Sequence, residues 1–463
     1  MTPPHYVRDD YRLEFRARTP VHVGAAGADA VADLPLAADG QDRLIIPGSS
    51  WTGVLRALIR EIAPEDEMEV FGYADGQDGQ ASRLSVFDSV VPDRGVELRT
   101  GVGIDRRTGA AATALLYDRL VLPSGQQLVL DLRYEGLNRP SLRKLIAHVR
   151  AHGLTIGAAS SRGLGLLDCV SATVRRADLR SRRSVLAMLA GRTEPEEIEP
   201  AGETTGMEIR LDWRPRQPVV VAASAAGAKG ELLPLLTTVD GGFAPVLPGS
   251  SIKGVLRSEA ERVVRTLLGP DADPTGDPVA SVADLATRVP VLAMLFGSPD
   301  RAAAIRIADV TARPDEPVAP ADGDREFTGV EARTPGWLAK RTRVAVDRWT
   351  GGAADARLFT TAEPRVWEWD PIVVRLDPAR IPADRLRAAV VLLGVALARI
   401  IDGAAGFGHA STRGLGEVEV REVTVTGAAG LPEFAGDWWS WLRALADGTG
   451  LDSLLGIEKG VTA

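Results

Sequence analysis

The chain has 463 residues, 45% of them hydrophobic and 25% charged, which is ordinary for a globular protein and enough for two or three cored domains. It has no run of eighteen uncharged apolar residues and no apolar signal core near its first residue, so neither a membrane span nor secretion is expected, and a cytoplasmic location is. The net charge of −8 argues against a generic basic nucleic-acid coat but allows a local basic groove, and the single cysteine, Cys169, excludes a disulfide framework and a multi-cysteine zinc site.

In chain order, residues 11–17 alternate Leu13, Phe15 and Ala17 with charged side chains, which predicts a strand. Pro47-Gly48-Ser49-Ser50 then predicts a turn, with Ser50 as N-cap of a helix over 51–62. A second alternating stretch, 127–134, predicts another strand. The spacing of Leu142, Leu145, Ile146 and Val149 predicts a helix over 140–152. A glycine-dense loop over 157–165 leads into a strand over 166–173. Residues 192–206, rich in Thr, Glu, Pro and Gly, read as a solvated linker.

The same series then returns. Ile46-Pro47-Gly48-Ser49-Ser50 through Gly53-Val54-Leu55-Arg56 reappears as Leu247-Pro248-Gly249-Ser250-Ser251 through Gly254-Val255-Leu256-Arg257. Phe71-Gly72 matches Phe296-Gly297, Asp88 matches Asp309, and Ile104-Asp105-Arg106 matches Val346-Asp347-Arg348. Gly157 through Gly165 matches Gly408 through Gly416. The second copy predicts a strand over 209–213, a helix over 252–267 with Ser251 as N-cap, a strand over 372–376, a helix over 382–401 and a strand over 417–425. Collinear matches of this kind mean a tandem duplication. The expected division is a first domain over 1–176, a helix and linker over 177–205, a second domain over 206–425 and a helical tail over 426–463. Trp438, Trp439 and Trp441 in the tail are spaced for one packed helix face. The order β-α-(insertion)-β-α-loop-β predicts an α+β chain of two ferredoxin-like domains. The RNA-recognition motif shares that fold and binds single-stranded RNA on its sheet.

Three features carry chemistry. Glycines let backbone N–H groups approach a phosphate, and arginine adds a fork of donors, so Arg162, Gly163 and Gly165, with Arg413, Gly414 and Gly416, are candidate phosphate contacts. A helix N-terminus is a natural anion site, which nominates Ser49, Ser50, Ser250 and Ser251, with Arg56, Lys253 and Arg257 on the following turns. Asp33 lies in a loop before Pro-Gly-Ser-Ser, where a carboxylate beside an RNA backbone could bind a divalent ion or accept a 2′-hydroxyl proton. Aligned on Leu-Pro-Leu, the second copy puts Leu232 opposite Asp33, with Glu231 adjacent. His22 reads as a structural or substrate-contact residue, with Val220 opposite.

Together these motifs resemble the RAMP superfamily of CRISPR type III effector complexes, and most closely its backbone subunits. The resemblance covers both copies. It implies that each domain grips guide RNA, with Arg106 and Arg348 among the contacts, and that the insertions around 101–122 and 341–362 are thumb hairpins that kink the guide–target duplex. It also implies that Asp33 cleaves the target RNA with a divalent metal ion, Mg or Mn, and that the second copy is inactive. The implied partners are guide RNA, complementary target RNA and other effector subunits. The competing readings are a non-catalytic subunit of the same complex, a guide-processing endoribonuclease relying on His22 or His409, and a small-molecule enzyme on a ferredoxin-like scaffold.

Overall fold

The computed structural model describes residues 6–25, 32–76, 78–92, 95–105, 111–202, 206–223, 231–239, 242–269, 284–315, 335–427 and Leu455. The expected Trp-rich helix, Arg106 and part of the expected linker lie outside the described residues. Two compact units result. One comprises Met1–Glu97, Arg119–Ser160 and Leu164–Thr204, and the other Leu98–Asp118, Ser161–Gly163 and Thr205–Ala463. Segments 98–118 and 161–163, expected with the first copy, group with the second unit.

The first copy runs β1 (Tyr6–Ala17), α1 (Gly48–Ile62), β2 (Leu84–Val86), β3 (Glu97–Ile104), β4 (Ala111–Val121), β5 (Gln127–Leu137), α2 (Pro140–His152), β6 (Leu154–Thr155) and β7 (Leu166–Asp178). Its antiparallel sheet has the order β6-β7-β1-β5-β2. The second copy runs β8 (Met207–Pro215), α3 (Gly249–Leu268), β9 (Ile305–Ile307), β10 (Leu338–Val346), β11 (Ala353–Pro364), β12 (Ile372–Leu376), α4 (Ala383–Ile401) and β13 (Val418–Thr426). Its sheet has the order β9-β12-β8-β13. In both, the first strand lies between the last strand and the strand that precedes the second helix. That is the split βαβ arrangement the element order predicts. Each copy inserts a two-stranded hairpin, β3-β4 and β10-β11, at the expected place. The pairing of β1 with β7 shifts by one residue at Glu14/Phe15, and that of β8 with β13 at Asp212/Trp213, matching positions of the two copies, with Val170 and Arg421 the extra residues.

Strand periodicity sends Leu13 and Phe15 inward from β1, where Phe15 stacks on Trp51 of α1 at 5.4 Å between ring centroids. Leu55, Ile59, Leu145 and Val149 complete this face of the first core. The second core is built alike from Leu211, Trp213, Ile252, Leu256, Leu393 and Leu397.

The outward faces of the central strands are laced with ion pairs. Arg12 meets Asp131 at 3.2 Å and Arg133 meets Asp10 at 2.9 Å, while Arg214 meets Glu419 and Arg375 meets Glu208, both at 2.8 Å. An RNA-recognition motif needs stacking aromatics there. The middle of these strands presents paired charge instead, so the sheet face is not built as a stacking platform.

The serine N-cap expectation needs correction. The helices begin at Gly48 and Gly249, with Pro47 and Pro248 at the cap positions and no side-chain cap bond from a serine. The carboxylates of Asp88 and Asp309 take that role, accepting from the Gly48 and Gly249 N–H groups at 2.7 and 2.9 Å. The positive end of a helix favours such a carboxylate. Asp88→Ala is expected to cost about 0.5–2 kcal/mol, the range for a lost cap. A urea midpoint equal to that of the unsubstituted protein would show that Asp88 holds nothing.

Candidate nucleic-acid interface

Asp33 follows buried Ala32, is itself exposed, and sits one residue before a backbone anchor. Leu34 bridges in parallel to Arg119 of β4, and its carbonyl accepts from Leu120 N–H at 3.1 Å. Ala37 N–H donates to Val23 O at 2.9 Å on the other side. The short extended run after Asp33 is therefore held between the end of the first strand's path and the base of the hairpin, and the carboxylate is displayed from a fixed backbone.

His22 braces the same anchor from inside. It is 3% exposed, and its Nδ1 donates to Leu120 O at 2.7 Å. A carbonyl only accepts, so Nδ1 carries the proton. Burial pushes the imidazole below its ordinary pKa, so the ring is neutral and structural rather than a surface contact for RNA. The folded state binds that proton less readily than the unfolded chain. The associated stability is present above the ordinary value of about 6.5 and is lost as pH falls through the lowered one. The protein should lose stability on acidification from about pH 7.5 to about pH 5.5, and His22→Gln should lose less. Identical losses in urea titrations would assign the slope to other groups, among them His148 and His409, which burial shifts the same way.

The second copy repeats the anchor. Ala362 N–H donates to Leu232 O and Leu235 N–H to Val221 O, bonds that match Leu120 to Leu34 and Ala37 to Val23. Leu232 bridges Thr361 as Leu34 bridges Arg119. Leu232 therefore corresponds to Leu34, not to Asp33. The residue matching Asp33 is Glu231. Leu-Pro-Leu misled the alignment by one residue, because backbone pairing follows hydrogen-bond register and not the identity of short apolar runs. Glu231 has a side chain only 17% exposed and receives Lys340 Nζ at 2.9 Å.

The glycine-dense loops have two parts. Gly165 and Gly416 are buried with φ of +80° and +74°, and a Cβ on either would lie 1.9 Å from Ile156 O or 2.1 Å from Phe407 O. These glycines serve close backbone approach within the fold, as does buried Gly163 with φ of +104°. The surface part is Arg162 and Arg413, both exposed, with exposed Gly414. Arg162 Nη1 reaches Tyr117 Oη of β4 at 3.5 Å, and the Arg413 guanidinium stands 6.0 Å from the Phe359 ring centroid of β11. Tyr117 and Phe359 are matching hairpin positions, so each loop arginine meets a hairpin aromatic. Sequence reasoning missed both rings. Aligning the hairpins through Asp105 and Asp347 would have paired them.

Other predicted contacts are committed inside the protein. Arg56 donates to Glu67 at 2.6 Å and Gly72 O at 3.0 Å, and Arg257 donates to Glu261 at 2.7 Å and Gly297 O at 3.4 Å. They tie their helices to the Phe-Gly element. Lys253 is 6% exposed and donates to Ser161 Oγ at 3.0 Å. Burial pushes its pKa down to about 7, with Arg162 and Arg257 adding to the shift. At the two helix starts, the Asp carboxylates occupy part of the expected anion site. Ser49 and Ser250 are exposed, and Ser50 and Ser251 are half-buried.

The second hairpin ends in a turn capped by Asp347, which accepts from Trp349 and Thr350 N–H at 2.9 and 2.8 Å. This turn displays Arg348, exposed, and Trp349, 96% exposed. Val344, Val346 and Leu358 add exposed apolar surface, as Val102, Ile104, Leu115 and Leu116 do on the first hairpin. Exposed apolar residues are thus present on both hairpins.

A family model for the RAMP superfamily matches residues 14–168 and 216–419. The chain belongs to the RAMP superfamily. The two matched regions follow the two copies, and membership implies a CRISPR-associated RNA-binding subunit. A comparison with curated proteins finds no match. Among the described residues, no helix of this RAMP protein is long and apolar enough to cross a membrane. Nor do three His, Cys, Asp or Glu side chains gather among them as a metal cage. Magnesium is commonly held by one or two carboxylates together with substrate phosphates, and exposed Asp33 fits that smaller role.

Proposed function

We propose that this RAMP protein is a backbone subunit of a type III CRISPR ribonucleoprotein, holding guide RNA with both copies and cleaving complementary target RNA with Asp33. The observation that carries the reading is the exposed carboxylate of Asp33, one residue from an anchor shared with the hairpin base. The loop arginines with their hairpin aromatics are the grip. Arg162 and Arg413 supply forked donors for phosphate, while Tyr117, Phe359 and Trp349 supply faces for bases.

The reaction is in-line attack of a ribose 2′-oxygen on the adjacent phosphorus. The P–O5′ bond breaks as the new P–O2′ bond forms. The 2′-hydroxyl proton leaves, the 5′-oxygen gains one, and the products are a 2′,3′-cyclic phosphate and a 5′-hydroxyl. Asp33 accepts the proton or holds a divalent ion, Mg or Mn, which when bound neutralises phosphate charge. The hairpin's share is alignment, since holding the attacking oxygen in line can be worth roughly 7–11 kcal/mol. A histidine-driven guide-processing enzyme is disfavoured, because His22 is sealed in the core and His409 accepts from Arg413 at 3.2 Å. The test is target cleavage by the assembled complex carrying Asp33→Ala, with guide and target binding measured alongside.

A further inference from the structure

We infer that Glu231 is the second copy's counterpart of Asp33 and that Lys340 silences it. The inference rests on the reading of Asp33 as the cleaving residue and extends it to the copy where no activity is expected. The backbone register is its first support. The anchor bonds of Leu232 repeat those of Leu34, so the carboxylate of Glu231 leaves the chain at the matching point. The position was not lost to an apolar residue. It kept a carboxylate, one methylene longer.

Glu231 is held by a cation. Lys340 Nζ lies 2.9 Å from one oxygen of Glu231 and 3.1 Å from the other. Lys340 stands on β10, and the anchor bonds together with the Asp105–Asp347 match set the correspondence between the two hairpins. The first copy has Leu98 at the position of Lys340, a side chain that cannot donate to a carboxylate. The ammonium donates to one oxygen and lies within ion-pair distance of the other, so its charge opposes transfer of a 2′-hydroxyl proton to this carboxylate. It also repels a divalent cation from the same place. Glu231 is partly covered as well, where Asp33 is exposed. Lys340 is itself half-exposed, so its replacement by an unbranched apolar side chain keeps the stem and removes only the charge.

The test uses the whole assembled complex and a target RNA labelled at both ends, with bound guide measured to show that each variant assembles. The unsubstituted complex and Lys340→Met should share the Asp33-dependent cut, and only Lys340→Met should add a second cut at a new position. Combining Lys340→Met with Asp33→Ala should leave the new cut alone, and adding Glu231→Gln should remove it. Glu231→Asp with Lys340→Met restores the shorter side chain and should cut at the new position at least as well. If neither Lys340 variant gains a cut while Asp33→Ala loses the original one, the silencing idea is overturned and the reading of Asp33 stands. A cut in the unsubstituted complex that Glu231→Gln abolishes also overturns it, because Glu231 would then act with Lys340 in place. If the original cut survives Asp33→Ala and Glu231→Gln together, it is the reading of Asp33 that fails. A set in which no variant cuts anywhere overturns both.

Discussion

Asp33→Ala is expected to reduce target cleavage by the assembled complex at least about a thousandfold while guide and target binding stay unchanged. A positioned proton acceptor contributes typically 10²–10⁴-fold. If the carboxylate also holds the divalent ion, its removal takes both contributions, which sets the expected loss near the upper end. Binding should be spared because the proposed grip lies elsewhere, on Arg162, Arg413 and the hairpin surfaces. Substitution of an exposed loop side chain usually changes stability by no more than about 0.5 kcal/mol. Asp33→Asn separates the roles further. It keeps the shape and removes the negative charge, so it should be as inactive as Ala. Cleavage by Asp33→Asn at the rate of the unsubstituted complex would show that Asp33 contributes geometry and not charge.

Gly416→Ala and Gly165→Ala should unfold the protein before they weaken RNA binding. The Cβ of an alanine at Gly416 or Gly165 would be placed 2.1 Å from Phe407 O or 1.9 Å from Ile156 O. Something in the backbone must move, and the glycine itself is tied on both sides. Gly416 N–H donates to Pro218 O, and Gly416 O accepts from Phe407 N–H at 2.9 Å. Gly165 makes the same bonds with Pro20 and Ile156. The left-handed backbone adds roughly 1–2 kcal/mol for a residue with a Cβ, so the total is expected at about 3 kcal/mol or more. For units of this size that is a fall in Tm of roughly 6–12 °C. Gly414→Ala is the contrast. Its backbone is also left-handed, with φ of +83°, but no heavy atom lies within 4 Å of the added Cβ. It should cost only the conformational penalty, about 1–2 kcal/mol. Equal Tm values for Gly416→Ala and Gly414→Ala would remove the close approach from the explanation of this loop.

Much of the fold was legible from residue spacing. Alternation of Leu13, Phe15 and Ala17 places β1, and the 3.6-residue spacing of Leu142, Leu145, Ile146 and Val149 places α2, because one buried face of a strand or helix must repeat at the period of that element. Collinear motifs exposed the duplication, the element order led to the ferredoxin-like arrangement, and the family resemblance implied the two hairpins. Asp33 was legible as a candidate through its place in the loop before Pro-Gly-Ser-Ser together with the family resemblance, since Asp29 in the same loop is a carboxylate too. Several matters depended on distances across the fold. Arg56, Lys253 and Arg257 look like surface cations in the sequence, and only their partners Glu67, Ser161 and Glu261 show them committed inside. Asp88 and Asp309 cap helices 40 and 60 residues away, which no local signal near Ser50 or Ser251 could indicate. The register at Glu231 was decided the same way. Sequence alone determined that this protein is two copies of one α+β module. Tertiary structure decided which residue of the second copy faces the role of Asp33, because hydrogen-bond pairing between distant strands sets side-chain position to within one residue and short apolar matches do not.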